Sequence, residues 1–124
     1  MQKIKNKKNF SLTKEAHAFA KEVNSHLGNP SEFGQMAQLG FSIGVRDNKF
    51  NTLERAKNNI ADTASIDPDG IMLDTYTNLF PEHDENVWPE IEKAASWGIL
   101  TIKSKFYDEE LNIIKWADLY EEIS

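Results

Sequence analysis

Apolar positions recur at helical spacing from the first quarter of the chain onward. Ala16, Phe19, Ala20, Val23 and Leu27 fall at i, i+3, i+4 and i+7 intervals, which predicts an amphipathic helix. Thr13 stands where an N-cap is needed, its hydroxyl able to accept from an orphan amide of the first turn. Leu27-Gly28-Asn29-Pro30 ends that helix, because glycine adopts the left-handed stop and proline cannot continue. Ser31 caps a second helix whose face carries Phe33, Met36, Ala37, Gly40, Ile43 and Gly44. Gly34, Gly40 and Gly44 each cost about 1 kcal/mol against alanine in a helix interior. Gly40 and Gly44 therefore predict a close backbone approach, by another helix or by another subunit. Residues 9–46 are expected to pack as a helical hairpin around which the rest is organised.

Further along, Thr52 is placed to cap a third helix, with Leu53, Ala56, Ile60, Ala61 and Ala64 on one face. Ile66-Asp67-Pro68-Asp69-Gly70 is a turn signal. It lacks the ligand spacing of a calcium loop, since Ile71 and Met72 occupy ligand positions. Residues 71–80 fit either a short helix or an extended segment, and 81–86 form an acidic connector. Pro89 suits a first helical turn, followed by a stripe of Ile91, Ala94, Ala95 and Gly98. Residues 99–102 either finish that helix or extend as a strand. Leu111, Ile114, Leu119, Tyr120 and Ile123 predict a last helix. The expected fold is mainly α: one compact helical domain over 1–124, with residues 1–9 as a basic, flexible arm or a short N-terminal strand.

Charge changes the picture more than length does. The net charge is −6, yet residues 1–57 carry ten basic against five acidic residues, and 58–124 carry four basic against fifteen acidic. Asymmetry of this kind points to a polyanion contact or to head-to-tail association. Lys3, Lys5, Lys7 and Lys8 precede the first helix, and Arg46 and Lys49 follow the second. In an antiparallel hairpin these six charges gather at one end, suited to non-sequence-specific contact with DNA phosphates. Nine carboxylates and no lysine or arginine lie between residues 58 and 92, which fits a solvated acidic face. Trp88, Trp97 and Trp116 sit at core-like positions.

Catalytic signatures are missing. The chain has no cysteine, which removes thiol nucleophiles, disulfides and cysteine-type zinc sites. His17 and His26 are too far apart for a helical metal pair, and His83 sits in an acidic turn. No phosphate loop ending in Gly-Lys-Ser/Thr and no Gly-x-Ser-x-Gly elbow is present. The expectation is a non-enzyme without cofactor or metal. No apolar run reaches membrane-spanning length and no apolar segment follows the basic start, so a cytoplasmic protein is expected.

The order of features resembles a known family. A basic N-terminus leads into Leu12-Thr13-Lys14-Glu15, then Leu27-Gly28-Asn29-Pro30-Ser31 and the small-residue helix MAQLGFSIGV. Gly70-Ile71-Met72-Leu73-Asp74-Thr75-Tyr76-Thr77-Asn78-Leu79-Phe80 follows, then Trp97-Gly98-Ile99-Leu100 and Trp116-Ala117-Asp118-Leu119-Tyr120. This pattern resembles the DndE family, small helical proteins of bacterial systems that replace a backbone phosphate oxygen of DNA with sulfur (phosphorothioation). The resemblance implies an oligomeric accessory of a DNA-modification or phage-defence system. Such a protein engages DNA through surface lysines and works beside partner proteins without being a sulfur carrier. Two other readings stay open. One is a ribbon-helix-helix dimeric regulator or antitoxin, reading residues 3–46 as strand, helix and helix. The other is a pure interaction scaffold assembling through basic and acidic faces.

Overall fold

The computed structural model describes residues 9–27, 33–50, 56–82, 87–111 and 113–123. The chain is mainly helical, with two short antiparallel ladders. In order the elements are β1 (Asn9–Leu12), α1 (Lys14–Leu27), α2 (Phe33–Arg46), β2 (Asn58–Asp62) and α3 (Thr63–Ile66). They are followed by α4 (Ile71–Leu79), α5 (Trp88–Phe106), β3 (Tyr107–Asp108), β4 (Ile113–Ile114) and α6 (Trp116–Ile123). The break at 28–32, the cap and first turn expected at Thr52 and Leu53, His83 and the arm lysines lie outside the described residues.

The organising element is α5, not an α1–α2 hairpin. It runs 19 residues, so 99–102, left open between helix and strand, continue the helix to Phe106, and it carries Trp88, Ile91, Ala94, Ala95, Ile99 and Ile102 into the core. Both α1 and α2 pack on it, and the α2–α5 interface is the most extensive in the fold. The two helices cross antiparallel at their smallest residues. A Cβ added at Gly98 would stand 1.8 Å from the Gly40 carbonyl oxygen. One added at Gly40 would stand 2.3 Å from the Ala95 oxygen, and one at Gly44 2.3 Å from the Ala94 oxygen. Axial separation between packed helices is set by the side chains at the crossing, and here there are almost none. The glycines of α2 are thus spent inside the chain, against a helix far away in sequence.

Residues 58–62 are a strand, where a third helix was expected to continue. β2 pairs with β1 in the register Asn9↔Asp62, Phe10↔Ala61, Ser11↔Asn59 and Leu12↔Asn58, with an irregularity between Phe10 and Ser11. Phe10 and Leu12 are fully buried, so pairing with β2 satisfies a backbone that has been pulled from water. Asn58-Asn59 are weak helix formers, and the tertiary pairing decides their state.

β1 is tied to α5 by side chains as well. The Ser11 amide donates to Glu92 Oε2 at 2.8 Å and the Thr13 amide to Ser96 Oγ at 3.0 Å. Thr13 also caps α1 as expected, its hydroxyl accepting from the Ala16 amide at 3.3 Å. Glu92, counted above with a solvated acidic face, is 1% exposed and belongs to the core. Two more of those carboxylates have structural tasks. Asp67 accepts from the Met72 and Leu73 amides at 3.0 and 3.1 Å, which makes residues 71–79 a helix. Glu90 accepts from the Tyr76 hydroxyl. Burial first, and then Glu90, push the Tyr76 phenol well above its ordinary pKa, so it remains a donor.

Gly70, in the expected turn, has φ +71 and open space where a Cβ would point. Gly70→Ala is expected to lower stability by about 1 kcal/mol through the left-handed conformation alone, with Gly70→Asn milder. Urea unfolding of the two variants checks this, and equal losses would point to a steric cause instead.

Candidate nucleic-acid interface

The exposed side of α5 follows from which of its faces are covered. β1 lies against the row that includes Trp88, Glu92 and Ser96, and α2 against the row that includes Ala94 and Gly98. Lys93, Trp97, Leu100 and Ser104, spaced i, i+4, i+7 and i+11, remain on the outer side. The first three are half-buried and Ser104 is exposed.

Lys49 is brought to this face by the way α2 ends. Asn48 adopts φ 57, the left-handed stop that asparagine tolerates best after glycine. The Lys49 amide donates to the Gly44 oxygen at 2.8 Å and the Asn48 amide to the Val45 oxygen at 3.0 Å, a Schellman closure. The chain turns back, and the Lys49 ammonium sits 5.3 Å from the centroid of the Trp97 ring. The ring's negative face holds the cation in place without neutralising it.

Arg46 is differently placed. Its guanidinium makes two bonds to Asp47, at 2.9 and 3.0 Å, and one to Glu122 Oε2 at 3.2 Å. These carboxylates occupy the donors that a phosphate would use, and Asp47 raises the guanidinium pKa further. Hydrogen bonds from Arg46, with the charges of Arg46, Lys105 and Lys49 behind them, hold the Asp47 carboxyl below its ordinary range. Arg46, expected as a phosphate contact, thus also links the end of α2 to α6.

Beyond Trp97 the outer face of α5 continues into a shallow depression of 360 Å³ lined by Leu100, Lys103, Ser104, Tyr107 and Glu109. The Lys103 ammonium lies 6.0 Å from the Phe19 ring. The far rim is acidic: Tyr107 donates to Glu22 at 3.2 Å, and its pKa is raised by burial first and then by Glu22, Glu109 and Asp108.

Of the expected DNA-contacting residues, Lys49 lies on this face, Arg46 is engaged by carboxylates, and Lys3, Lys5, Lys7 and Lys8 lie outside the described residues. β1 starts beside Trp88, whose ring meets that of Phe10 at 6.0 Å, and the last turn of α2 passes Ala94, so both lie toward the N-terminal half of α5. Lys93, Lys103, Lys105 and Trp97, all on α5, were not among the expected contacts. A helix continued past Gly98 would have put Lys93, Trp97, Leu100 and Ser104 on one line. Trp97 is half-buried with a cation on its ring, where a core tryptophan was expected; Trp116 is also half-buried, and Trp88 alone of the three is buried.

Among the described residues no group of three or more His, Asp or Glu side chains is placed to hold a metal ion. No helix among them is long and apolar enough to cross a membrane. Compared with protein-family models, with curated proteins and with solved structures, the chain finds no match.

Proposed function

We propose that this chain is a non-catalytic accessory protein that binds the DNA backbone without sequence preference. It would act as one helical domain beside other proteins of a DNA-modification or defence system in the cytoplasm, as the DndE resemblance suggests. The observation that carries the proposal is the outer face of α5. Lys49 stands over Trp97 there, with Lys93 on the same line of the helix, and Lys103 and Lys105 lie on its two flanks. Cations along one helix, with four more lysines in the residues that precede β1, suit a backbone clamp better than a base reader.

The repressor alternative is less well supported. It needs the N-terminal strand to pair across a dimer, whereas β1 pairs with β2 of its own chain and the glycine-bearing helix is covered by α5.

A salt titration of binding to intact, nicked and single-stranded DNA tests the proposal. Wild type is expected to weaken steeply as salt rises, because each phosphate contact releases counterions. Lys49/Lys93/Lys103→Ala is expected to reduce the slope of log K against log salt by about 2 to 3. Lys3/Lys5/Lys7/Lys8→Ala reduces it by up to about 4. Absence of binding to every form at low salt would refute the DNA role.

A further inference from the structure

We propose, on the DNA-binding reading above, that Trp97 is a stacking platform for an unpaired base, an interaction open to single-stranded DNA and closed to duplex. Trp97 and Leu100 are half-buried and pack against the core, which anchors the indole on α5. The Lys49 ammonium stands over the ring, 5.3 Å from its centroid, and Lys49 itself is exposed. That face of the indole is therefore bounded by the tip of a flexible side chain in water. A base stacks on a π-face, and an ammonium attracts a phosphate. When a base takes the ring, Lys49 has only to swing aside to meet the phosphate of the same nucleotide. Ring and cation then each have a partner.

The neighbouring depression suits a base better than a phosphate. Its 360 Å³ are lined by Leu100, Lys103, Ser104, Tyr107 and Glu109. The Glu109 carboxylate repels a phosphate but accepts from the amino groups of bases, and the Ser104 hydroxyl can donate or accept. Leu100 joins the depression to Trp97, one turn before it on the same line of α5. From Trp97 to Ser104 is seven residues, about 10 Å of helix. A strand laid along this line puts one base on the indole and a later base toward the depression. Lys93 and Lys49 stand at its start, and Lys103 on its flank.

Duplex DNA cannot use these features. Its bases are stacked on one another, so a helix face meets phosphates and groove edges alone. The lysines see phosphates in both forms, and Trp97 is what separates the two.

Fluorescence anisotropy at one salt concentration, with an unstructured single strand and with a duplex of the same sequence, tests this. Trp97→Leu keeps an apolar side chain against the core. It should weaken binding to the single strand about tenfold and change duplex binding by less than about twofold. Trp97→Phe keeps a ring and should lose less on the single strand. The slope of log K against log salt should be the same for Trp97→Leu as for wild type, because stacking releases no counterion. An abasic strand should bind wild type about as weakly as the intact strand binds Trp97→Leu. This arm uses the unaltered chain, so it holds even where Trp97→Leu folds poorly. Equal losses on strand and duplex, or an abasic strand bound as tightly as the intact one, overturns the platform and leaves the backbone-binding reading standing. An RNA strand bound more tightly than its DNA counterpart overturns the assignment to DNA. No binding of wild type to strand or duplex at low salt overturns both readings together.

Discussion

Gly98→Ala is expected to unfold in markedly less urea than wild type, with a loss of about 3 kcal/mol or more. Two effects oppose each other at this position. Alanine is the better helix former by about 1 kcal/mol, and on propensity alone the variant would be stabilised. The added methyl, however, would stand 1.8 Å from the Gly40 carbonyl oxygen, with the Gly40 carbonyl carbon and Cα at 2.4 and 2.6 Å. None of these is the tip of a flexible side chain, so the clash is relieved only by moving α2 away from α5. That movement loosens Ala94, Ala95 and Ile99 together, all fully buried. Gly98→Val, which adds two further carbons, is expected to leave no folded protein. A stability for Gly98→Ala equal to or above wild type would show that the helices do not approach this closely.

Glu92→Ala is expected to cost about 3 kcal/mol, and Glu92→Gln distinctly less. The carboxylate is 1% exposed and accepts the Ser11 amide at 2.8 Å, across 81 positions of sequence. Alanine leaves that amide buried without its acceptor, in a strand that cannot turn to water because Phe10 and Leu12 are fully buried on either side of it. Glutamine keeps an oxygen where the amide needs one, and gives up the charge and one acceptor oxygen. Urea unfolding gives the two losses, and hydrogen exchange at the Ser11 amide locates them. Equal losses for both variants would assign the role to the charge rather than to the acceptor, and unchanged exchange in Glu92→Ala would dissociate Glu92 from β1.

Both positions show where local pattern stops being informative. The face of α1 through Ala16, Phe19 and Ala20, the Thr13 cap and the turn at 66–70 were legible, because each is written in residues close together in the chain. α2 was legible as a helix, and its glycines as a sign of close approach. Their partner was not, since helical periodicity says which face is covered and nothing about what covers it. Gly98 was legible as part of the apolar stripe, but whether the helix went on past it was not. Only the facing Gly40 explains why a glycine stands inside the helix.

The candidate site divides the same way. Net charge by halves pointed to the lysines around the first two helices, of which Lys49 rests on Trp97. The same tally hid Lys93, Lys103 and Lys105 among fifteen carboxylates, although these lysines share one helix. Counting charge along the chain averages over faces that folding separates.

What the sequence determined by itself was helical character, the caps and turns, a non-uniform charge distribution and the lack of cysteine chemistry. These depend on near neighbours and on composition. The tertiary structure alone decided that α5 is the central element and that residues 58–62 pair as a strand. It also decided that Glu92 is core, that Arg46 is held by carboxylates, and that Lys49 rests on Trp97. Apart from the bonds between Arg46 and its neighbour Asp47, each of these turns on a contact between residues distant in sequence, whose free energy exceeds the local preference it overrides.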